Sequence, residues 1–411
     1  MDHEGAYKDD ISMGSRWFTL RAVLKIAQQI KKQGWLMWMN KKSYFFLFLA
    51  IAAGTVAWWY HRPYPPKEIL TSLQEANVQE MLKEMKTRCI GRYLIDLPAS
   101  FSLNRSSVLF EDNYWVADIS MADDLRKTYI ATGRMYYPAF EQFIQRREQE
   151  LKNEVVWDPL DGPFLKNVRS LPDGMKGIIF ERNESVGTGD AIRVLEAYLY
   201  TNGVAVKLQK ESVNDSAPRY EEDRHGNPIR NYIPRDIDRM TRLLARITGR
   251  EPDDIPTVPG SCIADAFISA DKYGQEQEDI YAGYTSDALR EFLVSVEMDN
   301  YTKERDSVLE RADDIASALS KAHGHIVRKG AFNVNGLHAE ELLTAIVKSS
   351  KDESRYGFDL FINEMTANYK TPGLIVSLNN INEPSATYSQ EEIISFWDAI
   401  TRTIRLKSGV Y

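Results

Sequence analysis

Six histidines and two cysteines are the scarcest reactive side chains in this 411-residue chain, and their spacing limits the chemistry open to it. His323 and His325, in "HGH", could offer two metal ligands, but a structural or catalytic site needs a third or fourth donor nearby and none follows. His338, in "HAEEL", stands beside Glu340 and Glu341 without the helical spacing that would aim imidazole and carboxylates at one point. Both read as solvated side chains at strand starts. The glycines of "SVGTGDA", residues 185–191, open no helix, so the stretch reads as a hairpin loop and not as a phosphate cradle. Gly-x-Ser-x-Gly, His-Glu-x-x-His and Walker-type patterns do not occur. His3 and His61 fall outside the folded part, so acid–base work would rest on carboxylates alone. The reading is therefore no catalytic residues, no metal ligands and no cofactor.

The elements around these residues are those of a two-part α+β protein. Hydrophobic content of 43% and charged content of 27% are globular values, and a net charge of −8 argues against nucleic acid as a partner. Residues 1–43 form a basic tail, expected on the cytoplasmic side, or an upstream extension from a start codon placed too early. Residues 44–60, "YFFLFLAIAAGTVAWWY", are uncharged and predict a single transmembrane helix about 26 Å long, with aromatic rings at both ends. Lysines before this run place everything after it on the far side of the membrane. Residues 61–85 read as a proline-stiffened stem followed by a short helix.

Two tandem, related α+β modules with mainly antiparallel sheets follow, at residues 86–250 and 261–411, joined by the proline-rich linker 251–260. "CIGRYLIDL" and "CIADAFISA" read as the opening strand of each. Asn202-Gly203 between alternating apolar runs predicts a hairpin. "YPAFEQFIQRREQELKNEV" predicts a charged helix in the first module and "ERDSVLERADDIASALSKA" one in the second. "RDIDRMTRLLARITGR" and "SQEEIISFWDAITRTIRLK" predict closing helices, the first with an Ile237-Met240-Leu243-Leu244-Ile247 stripe facing a core.

"RCIGRYLIDLPASFSLN" resembles the N-terminal signature of immunity proteins that neutralise phospholipase effectors of type VI secretion, the fourth lipase family of that system. The "VLERADDIASAL" helix, the Gly-containing turn before "EELL" and the closing "FWDAITRTIRLKSG" are similar to that family's C-terminal domain. The resemblance implies a non-enzymatic inhibitor whose two domains clamp the lid region of one cognate lipase in the periplasm, tethered to the inner membrane through residues 44–60. It also implies a tight complex of complementary charge. A membrane-anchored envelope hydrolase with a carboxylate site, and an envelope scaffold or sensor, are the competing readings. In an oxidising periplasm Cys89 and Cys262 have two possible states. They are a disulfide closing a loop of about 173 residues, worth roughly 5 kcal/mol in the chain-entropy model, or small buried residues at equivalent places in two cores. The residues that contact a partner are unknown from sequence.

Overall fold

A computed structural model describes residues 64–105, 110, 114–271, 276–347, 354–380 and 387–409. The expected basic tail and membrane helix, residues 1–43 and 44–60, lie outside the described residues. Among those described, no helix is long and apolar enough to cross a membrane. Everything below belongs to the compact unit that starts at Lys67.

Thr71 starts the first helix, α1 (Ser72–Met81), by a reciprocal cap: its hydroxyl accepts from the Gln74 N–H while the Gln74 side chain accepts from the Thr71 N–H. Two short strands follow, β1 (Met85–Ile90) and β2 (Tyr93–Pro98). The single strand expected from "CIGRYLIDL" is instead this hairpin. Gly91, at φ +54°, turns the chain, and a Cβ there would meet the Met298 sulfur at 2.3 Å. The first half continues with β3 (Phe101–Leu103), β4 (Ala117–Met121), β5 (Asp124–Arg134), α2 (Tyr137–Asn153), β6 (Leu165–Ser170) and β7 (Lys176–Asn183). It ends with β8 (Ile192–Thr201), β9 (Val204–Val213), α3 (Ile233–Leu244) and β10 (Ile247–Gly249). Asn202 and Gly203 join β8 to β9 with φ +46° and +78°, the positive angles of a type I′ turn.

The second half runs through β11 (Gly260–Ile263), β12 (Ala266–Ser269), β13 (Glu276–Ser286), β14 (Leu293–Asp299) and α4 (Ala312–Lys321). "CIADAFISA" also divides into a hairpin, β11 with β12. The fourth helix is shorter than its sequence suggested, because residues 305–311 form bends and turns before Ala312. Then come β15 (Gly324–Val334), β16 (Leu337–Val347), β17 (Ser354–Ile362), β18 (Gly373–Asn379), α5 (Gln390–Thr401) and β19 (Arg405–Leu406).

The strand order of the first half, β4-β5-β9-β8-β7-β6, recurs in the second as β13-β14-β18-β17-β16-β15. The two runs meet edge to edge at β4 and β13 and form one antiparallel sheet, with β3 also paired to β13. The small sheets are exchanged. β10, which ends the first half, pairs with the opening hairpin of the second, and β19, which ends the second, pairs with the opening hairpin of the first.

One face of the large sheet packs into a core that is continuous through both halves. Helix α3 brings Met240, Leu243 and Leu244 to it. Helix α5 brings Trp397, whose ring meets Phe358 edge-on at 6.0 Å and whose indole N–H donates to Glu341 at 3.1 Å. On the other face α2 covers the first half, setting Phe140 and Leu151 against Phe180 and Tyr198. Burying each such side chain stabilises the fold by about 2–3 kcal/mol. Ala312 of α4 and Val308 just before it pack on Leu342 in the second half. Between these two helices, the outward face of β5, β4, β13, β14 and β18 carries no helix among the described residues.

Candidate functional site

The residues singled out by sequence do not converge. His323 lies in the turn after α4 with φ +58°, His325 is the second residue of β15, and His338 is exposed at the start of β16 with its Nε2 3.5 Å from Glu340. Among the described residues no three His, Cys, Asp or Glu side chains gather as a metal-ligand set. Residues 185–191 join β7 to β8 as the expected hairpin loop. Gly187 lies under the Trp157 ring, where a Cβ would come within 2.7 Å. Asp190 anchors this loop by accepting from Lys166 at 3.0 Å, Arg193 at 3.1 Å and the Tyr220 hydroxyl. Burial opposes its charge, but those donors and Arg219 hold the carboxyl down at about 2. That is ion-pair architecture, with no group left free to react. A cleft of about 660 Å³ contains Arg239 and Lys210, and these pair with Asp123 at 2.9 Å and Asp124 at 3.2 Å.

The two cysteines do meet. Cys89 and Cys262 form a disulfide with Cα atoms 5.7 Å apart, and both are buried. Beside it, Gly91 and Cys262 exchange N–H···O bonds, each 2.8 Å long. Arg250 donates to the Cys89 carbonyl at 3.1 Å, and buried Arg92 pairs with Glu278 at 2.9 Å. Ser261 donates to the same Glu278 at 2.7 Å. The repeated Cys-Ile phrases are thus neighbours in space, stitched where the halves exchange strands.

What sequence inspection missed is the uncovered strip of the sheet. Side chains alternate across a strand, so residues paired in neighbouring strands share a face. Asp118 of β4 stands opposite Asp279 of β13, which stands opposite Asp299 of β14. One pair further along, Tyr281 faces Glu297. Tyr129 of β5 continues the aspartate row on the other side, opposite Asp118. The strip thus carries four carboxylates, and Lys127 reaches in from β5, 2.9 Å from Asp118 and 3.9 Å from Asp279. Partial burial, reinforced by the charges of Asp118, Glu297 and Asp299, raises the Asp279 carboxyl to about 6. Burial and the Asp299 charge also raise Glu297, and burial raises Asp118 against the pull of Lys127. The only signal in the sequence is an aspartate on the polar phase of three strands, two of them consecutive and the third far upstream in the chain.

Among the described residues, the features that stand out are a locked junction between the halves and an open charged strip on the sheet. Comparison with known families is specific. Residues 86–250 match the model of the Tle cognate immunity protein 4 N-terminal domain, and residues 254–409 match that of its C-terminal domain. The chain belongs to this immunity protein family, and it is not an enzyme. No curated protein matches it at a significant level. Among solved structures, it is similar to the apo immunity protein TplEi of the type VI secretion system of Pseudomonas aeruginosa, with 22% identity and a TM-score of 0.59. That match covers 79% of this chain and 98% of the other. A chain of the Tle4–Tli4 complex matches with 20% identity and TM-score 0.59, over 79% of this chain and 98% of the other. TplEi bound to an "L" peptide matches with 20% identity and TM-score 0.55, covering 79% and 99%. These likenesses are of fold.

Proposed function

We propose that this chain protects its own cell by binding and inhibiting a lipase effector of type VI secretion, holding the lid region of the enzyme between its two halves. The observation that carries this is that both halves match, in order, the two domains of one immunity family. The similarity in fold to a chain of the Tle4–Tli4 complex supports it. The inhibitor works in the periplasm, tethered to the inner membrane through residues 44–60. The uncharged run, the lysines before it and the buried Cys89–Cys262 disulfide, a bond that persists in oxidising compartments, support that placement.

The test is co-expression of the full chain with its cognate lipase effector, directed to the periplasm. The cells are expected to survive, and the purified pair to lose activity on phospholipid vesicles at equimolar ratio. Death of the cells with the chain present in the periplasm would overturn the reading. Protease added to spheroplasts should degrade the folded part and spare the tail.

A further inference from the structure

We infer that the uncovered strip of the central sheet, floored by Asp118, Asp279, Glu297 and Asp299, is the docking surface for a basic segment of the protein that this chain neutralises. The inference rests on the inhibitor reading above and names the part of the molecule that would do the work.

Geometry makes the strip unusual. Like charges directly opposite each other in neighbouring strands destabilise a sheet, and ordinary solvent-facing surfaces avoid them by placing cations opposite. This protein follows that practice elsewhere: Glu196 of β8, on the same face, is held by both Arg147 and Arg182. In the strip three aspartates stand in register across β4, β13 and β14, with Glu297 one pair away. Lys127 answers them, while Lys207, the neighbouring cation on this face, sits 5.2 Å over the Trp115 ring. One oxygen of Asp118, Oδ1, is buried and accepts no hydrogen bond. The elevated carboxyl of Asp279 agrees with an excess of negative charge that the fold alone does not neutralise.

The surroundings point to a protein partner. Tyr129 and Tyr281 are exposed by 37% and 42%, and Trp115 packs against Tyr129 at 5.4 Å between centroids. Exposed aromatic rings around charge are the composition of an interface, and they also favour arginine, which pairs with carboxylates and stacks on rings. Carboxylates spread along a flat sheet at about 4.8 Å per strand do not converge on one point, so a single metal ion is a poor occupant. That agrees with the absence of a ligand set among the described residues. Five strands give a floor about 20 Å wide between α2 and α4. This width admits one helix or loop, about 10–12 Å across, and excludes a whole domain. The occupant is therefore a protruding, Lys/Arg-bearing segment of the effector.

The experiment measures binding of the full chain to the cognate lipase effector that it protects against in co-expression, at 50 and 500 mM salt, with wild type, the D279N/E297Q double variant, E297K, and E222K in the polar loop after β9 as control. Wild type and E222K are expected to bind alike. D279N/E297Q should weaken binding about tenfold and E297K about a hundredfold, mostly at low salt. Thermal melting should show that D279N/E297Q is at least as stable as wild type, which separates lost binding from lost folding. Wild-type affinity in both strip variants would overturn the inference and leave the inhibitor reading standing. If wild type itself fails to bind the lipase, both fall. If E297K dissolves a dimer of the chain while lipase affinity is unchanged, the strip is a self-contact and the inference is again overturned.

Discussion

Glu196 shows how much a single side chain can carry in this fold. It is fully buried, yet it accepts from Arg147 at 2.7 and 3.0 Å and from Arg182 at 2.9 Å, with the Tyr198 hydroxyl donating as well. Burial alone would push its carboxyl up, but those donors and charges win and hold it at about 2. Because the folded value lies below the unfolded one near 4.5, its contribution is present above that pH and is lost as pH falls toward 2. Glu196→Ala should cost about 3–5 kcal/mol at pH 7 in urea unfolding, because two arginines lose their counter-charge at a buried site. The penalty should shrink in acid. Gly91 is a second such position. Gly91→Ala places a methyl against Met298 at a positive φ, and the melting temperature should drop by an amount equivalent to roughly 2 kcal/mol.

Strands, more than helices, decided what could be read in advance. The β8–β9 hairpin was legible because Asn202-Gly203 is the pair that a type I′ turn demands, and α2 because its helix formers run unbroken. The two-half α+β plan was legible as well. Strands β4 and β5 were not, since Asp118, Asp124 and Lys127 break the apolar alternation that marks a strand. Their charge is legible only beside β13 and β14, and no local pattern carries that pairing. For the same reason the strip was not legible. Tails after α3 and α5 are too short for periodicity, so β10 and β19 were read as helix ends. The strip gives a prediction at this scale. Asp279 is raised to about 6, above the unfolded value near 3.8, so its ionisation costs stability as pH climbs from about 4 to 6. Asp279→Asn should therefore raise the melting temperature by a few degrees at pH 7.5, with the gain fading below about pH 5, as scanning calorimetry would show.

At the scale of the whole molecule, the exchange of β10 and β19 ties the halves into one cooperative object. Calorimetry should show a single transition, and residues 86–250 expressed alone should fail to fold, because β10 loses the hairpin it completes and β1–β2 loses β19. Two separate peaks would contradict this. The disulfide reinforces the same seam. Cys89→Ala with Cys262→Ala should cost about 2–5 kcal/mol, and in the native wild-type protein neither sulfur should react with an alkylating reagent.

The exchange also bears on how such a protein would grip. A tool whose handles are each riveted to the opposite blade cannot swing open. The distance from α2 to α4 is then a gauge set at folding, before any toxin arrives. Little ordering entropy remains to be lost on contact, so affinity is favoured by preorganisation and encounter need not wait for closure. If the strip is the docking surface, discrimination among partners becomes a question of calibre: a protrusion too thick for its width is refused at the rim, whatever its charge.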